Sequence, residues 1–123
     1  MKEPYEAIDG KEGATKKVFI VELENGETLH FKYFDTHFKR VSADQTAILI
    51  FCYSFNLVMF GQRQDVIAAA IDGEYGGRFR VYSPERHEAR PTDPDKPVID
   101  KVEVYYKAEE GSPNPAESLG TRH

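Results

Sequence analysis

The centre of the chain reads TAILIFCYSFNLVMF at residues 46–60, a stretch in which no residue carries a charge. Its β-branched and aromatic residues favour a strand over a buried helix. As one straight strand it would extend about 50 Å, well beyond the usual length of a strand. We therefore favour two strands that fold back on each other near residues 53–56, with a single long strand as the alternative.

Four further segments show the alternation of apolar and polar residues that is typical of half-buried strands. They are residues 16–23 (KKVFIVEL), 28–34 (TLHFKYF), 78–82 (RFRVY) and 98–106 (VIDKVEVYY). The first two flank Asn25-Gly26, which is a strong signal for a hairpin turn. Residues 35–44 are polar, and the sequence predicts a connection there.

One helix is predicted near residues 62–72, because Val66, Ile67, Ala70 and Ile71 fall on one helical face. Together with the strands, it predicts an α+β fold. The expected architecture is a mostly antiparallel sheet of about six short strands with the helix laid on it. An open curled sheet and a small, partly closed barrel both fit this pattern.

A chain of 123 residues suits one domain. Residues 16–106 are predicted to form this single α+β domain. Within it, residues 84–97 hold four prolines and are predicted to be a loop. Residues 1–15 are predicted to be a flexible leader, and residues 107–123 have the composition of a disordered tail.

The net charge is −5 and there is a single cysteine. The charge disfavours a nucleic-acid partner, since nucleic acids are bound by Lys and Arg that neutralise phosphate. One cysteine excludes an internal disulfide framework. No apolar segment reaches the roughly 20 residues of a membrane helix, and the first residues lack an apolar signal region. The sequence predicts a cytoplasmic protein with no membrane partner.

The chain has 8 Phe and 7 Tyr, more large side chains than one sheet face and one helix can cover. The surplus indicates a second core on the other face of a curled sheet, or a surface that binds another protein, where Tyr, Phe and Arg are enriched. An apolar ligand cavity inside a small barrel is a third explanation. We expect a small, non-enzymatic binding domain without a cofactor, whose partner is another protein or a second copy of itself. The predicted contact residues are Tyr53, Phe55, Arg78, Arg80 and Tyr82.

Two other functions remain open. Asp35, His37 and His87 have the donor types of a metal site or an acid–base pair, as a small metal-binding protein or enzyme would use. Arg78 and Arg80 follow two glycines, an arrangement suited to an anion or to single-stranded nucleic acid. The sequence has no phosphate-loop or dinucleotide fingerprint, so an enzyme is the less favoured interpretation.

Overall fold

The residues that this computed structural model describes, 2–10 and 15–106, form eight strands and one α-helix. In chain order the elements are β1 (Ile8–Asp9), β2 (Val18–Glu22), β3 (Thr28–Lys32), a 3-10 turn (Tyr33–Asp35), β4 (Thr36–Val41), β5 (Ala47–Cys52), β6 (Phe55–Gln62), α1 (Gln64–Asp72), β7 (Arg78–Arg80) and β8 (Val98–Tyr106). The predicted tail at residues 107–123 lies outside the described residues.

The strands form two sheets. The first sheet has the order β1-β7-β2-β3, and the second sheet has the order β4-β5-β6-β8. Neighbouring strands are antiparallel except β2 and β7, which are parallel. The predicted α+β class with mostly antiparallel strands is confirmed, and of the two predicted forms the open sheet is present, because neither sheet closes into a barrel.

The central stretch forms the β5–β6 hairpin, in which Ile50 lies opposite Leu57. The prediction of two strands at residues 46–60 is therefore confirmed. Residues 35–44, predicted to be a connection, contain β4, which pairs with β5 at the edge of the second sheet. Most residues of this edge strand are polar or charged, so its sequence lacks the apolar alternation that identified the other strands.

The core lies between the two sheets. The first sheet contributes Phe19 and Phe79, which are fully buried. The second sheet contributes alternate residues of its central hairpin, and α1 adds Ile67, Ala70 and Ile71 of the predicted face, whereas Val66 is only half-buried and lies outside the core cluster. These inward side chains form one buried cluster; from the second sheet and α1 they include Ile48, Ile50, Leu57, Met59, Ile67, Ala70 and Ile71.

The helix and the second sheet approach each other closely at Gly61. A Cβ atom at Gly61 would lie 1.9 Å from the Val98 carbonyl oxygen, so no side chain fits there. Gln64, the first residue of α1, is fully buried, and its Nε2 donates to the same carbonyl oxygen over 2.8 Å. Glycine at this position therefore lets β6, β8 and the start of α1 pack together.

The structure places part of the segment predicted as a leader, residues 1–15, against the core. Tyr5 and Ala7 are buried, and β1 pairs with β7. The Tyr5 hydroxyl donates to the Arg80 carbonyl oxygen over 2.6 Å and accepts from the Ile99 backbone N–H over 2.9 Å. These two hydrogen bonds join the amino-terminal residues to both sheets.

Candidate interaction surface

Side chains of the second sheet alternate between the core and the opposite side. Directly paired residues of neighbouring strands share a side, so the outward residues form three rows across the sheet. The rows are Ala47, Phe60 and Lys101; Arg40, Leu49, Val58 and Glu103; and Phe38, Phe51, Asn56 and Tyr105. These eleven residues make up the apolar outer face.

Apolar side chains occupy the middle of the apolar outer face. Phe38 stacks on Phe51 with the ring centroids 4.2 Å apart, and 53% of Phe38 remains exposed. Leu49, Val58 and Phe60 are only half-buried, although they lie in or beside the two central strands. The middle of this sheet therefore presents a continuous apolar surface.

The helix packs on the other side of the second sheet. Lys39 points opposite to Arg40 in β4, and its ammonium is ion-paired with Asp72 of α1. Rings of the first sheet reach the same inner side, where Phe31 packs on Phe55 with centroids 5.0 Å apart. Within residues 2–10 and 15–106, no strand or helix packs on the apolar outer face.

The charged residues of the apolar outer face lie toward its two edges. On β8, the Glu103 carboxylate accepts from the Tyr105 hydroxyl over 2.6 Å and pairs with Lys101 at 3.1 Å. On β4, Arg40 is exposed, and no carboxylate of the described residues lies within ion-pair distance of it. Asn56 has a buried Oδ1 atom with no donor among the described residues. One edge thus carries Arg40, and the other carries the half-buried Glu103 carboxylate together with the Lys101 ammonium.

The outward side of the first sheet differs in chemistry. Glu22 is 8% exposed, and its carboxylate lies 2.8 Å from Arg78, 3.2 Å from Arg86 and 3.8 Å from Arg80. Asp9 adds a second carboxylate 3.3 Å from Arg80. We define the polar outer face as the outward residues of the first sheet, which are Val18, Ile20, Glu22, Thr28, His30, Lys32, Arg78 and Arg80.

The predicted residues Arg78 and Arg80 therefore lie within an ion-pair cluster. Both guanidinium groups already face the Glu22 carboxylate. An anion or a nucleic-acid phosphate at this position would compete with the buried Glu22 carboxylate, which belongs to the same chain and is always present beside both arginines. Anion binding at these arginines stays a prediction, and the structure supplies no open pair of guanidinium groups for it.

Two other predicted contact residues, Tyr53 and Phe55, flank the β5–β6 turn and point in different directions. Tyr53 is 63% exposed, and its ring lies 4.1 Å from the His37 ring. It follows the alternation of Phe51 and so continues the apolar outer face. Phe55 points to the inner side and contacts Phe31. Of this pair, the structure leaves only Tyr53 accessible on an outward surface.

Tyr82, the last predicted contact residue, belongs to an aromatic cluster. Its ring packs edge-on against Tyr5 at 5.4 Å and lies parallel to the His87 ring at 5.8 Å. Its hydroxyl donates to the Glu88 carbonyl oxygen over 3.0 Å. Tyr82 thus fixes the loop that follows β7, and it lies on neither outer face.

The alternative metal residues are divided between two environments. His87 is 2% exposed, and its Nδ1 accepts from the Ser83 backbone N–H over 3.0 Å. His37 is exposed on β4, beside Asp35 in the 3-10 turn. Across residues 2–10 and 15–106, no group of three or more His, Cys, Asp or Glu side chains is arranged to hold a metal ion.

The sequence prediction did not single out Leu49, Phe51, Val58 and Phe60 as contact residues. A signal for them is present at residues 46–60, where both alternating sets of side chains are apolar. A sheet with one side facing water normally alternates apolar with polar residues. Two apolar sets in these neighbouring strands are therefore the signal in the sequence for an apolar outer face.

Comparisons with known proteins give this chain no relative: no family model, no curated protein and no solved structure matches it. Among the described residues, no helix combines the length and apolar character that crossing a membrane requires.

Proposed function

We propose that this protein is a non-enzymatic, cytoplasmic interaction domain that binds another protein chain through the apolar outer face. The observation that carries the proposal is the group of half-buried apolar side chains Leu49, Phe51, Val58 and Phe60 on a sheet face that no described strand or helix covers. Water contact with a contiguous apolar surface is unfavourable, and monomeric proteins rarely present such a patch unless it binds something.

The layout of the apolar outer face supports a protein partner. Its middle is apolar and aromatic, and its charged groups, Arg40 and Glu103, lie at the edges. Protein–protein interfaces have the same arrangement of an apolar centre and a polar rim. An open sheet face of this kind suits another sheet or a helix face better than a small molecule, which binds in a concave pocket.

The proposal changes the expected contact residues. Tyr53 remains a contact residue, because it extends the apolar outer face beyond Phe51. Phe55, Arg78 and Tyr82 already have partners within the chain, so they are better explained by the stability of the fold. The contact is assigned instead to the outward residues of β5 and β6.

Site-specific crosslinking in the cells that normally make the protein tests this assignment. A photoreactive phenylalanine analogue replaces Leu49 in one variant and Val18, an exposed apolar residue of the polar outer face, in a matched control. We expect discrete covalent adducts to another polypeptide from position 49 and few from position 18. Absence of adducts at position 49, or equal adducts at both positions, would refute the proposed function.

A further inference from the structure

We infer that the partner of the apolar outer face is a second copy of this chain, packed face to face about a twofold axis. The axis runs parallel to β5 and β6 and passes between them. This inference rests on the proposed function, which it deepens by naming the partner. It follows from the order of residues within the middle row of the face, Arg40, Leu49, Val58 and Glu103.

A rotation of 180° about this axis reverses the order of the strands across the sheet. Each residue keeps its position along the strand direction. The rotation therefore lays β4 over β8 of the second copy, and β5 over β6. Because the four residues of the middle row are directly paired across the sheet, each row stays level with its counterpart. Two-fold interfaces bring such a set of contacts together twice.

When the order of the middle row is reversed in the second copy, each charged residue lies opposite a residue of opposite charge, and each apolar residue lies opposite an apolar one. Arg40 faces Glu103 of the second copy, and Leu49 faces Val58 of the second copy. Packed sheets lie about 10 Å apart, a gap that an arginine and a glutamate reaching from opposite sheets can span. Arg40 thereby gains a carboxylate, and Glu103 gains a partner in addition to those of its own chain, which include Lys101 and Tyr105.

The neighbouring row adds a fit of size. Ala47 and Phe60 are paired across β5 and β6, so the same rotation places the small side chain of Ala47 against the ring of Phe60 of the second copy. Interfaces reach dense packing when large side chains oppose small ones. The rotation thus pairs opposite charges in one row and unequal volumes in the next.

An axis perpendicular to the strands gives a poorer arrangement. It would lay β4 over β4 and β8 over β8, so that Arg40 approaches Arg40 and Glu103 approaches Glu103 of the second copy. Like charges opposed across an interface are strongly unfavourable. The charge order of the row therefore selects the parallel axis.

The size of the apolar outer face sets the expected strength of dimerisation. Four strands about 4.8 Å apart and about six residues long make a surface of roughly 20 by 20 Å per copy. Such a pair would bury on the order of 1,000 Å² in total, the lower end of specific interfaces. We expect a reversible dimer with a dissociation constant in the micromolar range.

Sedimentation equilibrium on paired variants tests the arrangement. Leu49→Glu and Val58→Lys each introduce a charge beside an opposite charge of the same row, Arg40 and Glu103 respectively, which favours correct folding. Each variant alone should dimerise at least about tenfold more weakly than the wild type. Mixed in equal amounts they should regain dimer, because residue 49 of one faces residue 58 of the other.

A charge exchange at the edges is the second pair of variants. Arg40→Glu and Glu103→Arg should each weaken dimerisation, and their mixture should restore it, whereas Lys32→Glu on the polar outer face should have no effect. A wild-type chain that stays monomeric into the millimolar range overturns the inference, as does a dimer that neither mixture restores. Crosslinks from position 49 to a different protein would then leave the proposed function standing.

Discussion

The outward sides of the two sheets differ in whether their side chains find partners within the chain. On the polar outer face, Glu22 has three arginines within 4 Å, so its charge is balanced within the chain. On the apolar outer face, Leu49 and Val58 remain in contact with water. The clustered charges of one side are paired within the chain, and the apolar side chains of the other are left partly exposed.

Burial of apolar area can stabilise the fold or an association, and the two sides of the second sheet differ in which of these they can stabilise. Burial of apolar area stabilises by roughly 25 cal/mol per Å². The inner sides of both sheets obtain that stabilisation within the chain, around fully buried residues such as Phe19 and Leu57. On the apolar outer face, the same type of area is left partly exposed in the single chain. Substitutions on the two sides of β6 should therefore differ in their effects on stability and on association.

The largest expected effect compares Leu57 and Val58, which are adjacent in β6 and point to opposite sides. Leu57→Asp buries an unpaired carboxyl group in the core, so we expect the free energy of unfolding to fall by at least about 4 kcal/mol. Val58→Lys, which places its charge beside the Glu103 carboxylate, should lower the free energy of unfolding of the monomer by no more than about 1 kcal/mol and weaken association. Urea unfolding at low protein concentration measures both. Equal destabilisation by the two substitutions would show that the outward side is part of the core.

The next effect concerns the ion-pair cluster of the polar outer face. Glu22→Gln removes the carboxylate that faces Arg78, Arg80 and Arg86, and it leaves three partly buried guanidinium groups near one another. We expect a loss of about 2–3 kcal/mol, reduced by the partial exposure of the arginines to water. Association should be unchanged. Glu24→Gln in the exposed β2–β3 turn is the control, and a similar loss there would argue against a specific role of the cluster.

A smaller effect is expected at Tyr5. Tyr5→Phe leaves the Arg80 carbonyl and the Ile99 N–H without their partner, at a cost of about 1–2 kcal/mol. Burial also raises the pKa of the Tyr5 phenol above its ordinary value of 10.0.

That raised pKa gives Tyr5 a pH dependence. The unfolded chain ionises this group near pH 10 while the folded chain does not, so its contribution is fully present below pH 10 and is lost as the pH rises above that value. Unfolding of the wild type and of Tyr5→Phe, compared at about pH 9 and about pH 11, should show the larger loss in the wild type. An equal loss in both would contradict the role assigned to the buried phenol.

The sequence predicted the features that depend on neighbouring residues. Asn25-Gly26 indicated the β2–β3 hairpin, in which Gly26 has a φ of +90° and the Asn25 side chain accepts from the Glu27 N–H over 2.9 Å. The spacing of Val66 to Ile71 indicated α1. These signals lie within a few residues of the element that they specify.

The two outer faces depend on distant strand pairings, which the sequence does not reveal. Residues 46–60 are apolar on both alternations, so their pattern cannot show which set faces the core. Glu22 and Arg78 are separated by 56 positions, and only the parallel pairing of β2 with β7 brings them together. The sequence therefore did not reveal that the charge of Arg78, a predicted contact residue, is matched within the chain.

Association through the apolar outer face can be measured from amide chemical shifts of the isotopically labelled protein, recorded over increasing protein concentration. We expect concentration-dependent shifts along β4, β5, β6 and β8, largest around Leu49 and Val58, and none at Val18 or Lys32. Shifts centred on the polar outer face, or no shift at any concentration into the millimolar range, would contradict association through the apolar outer face.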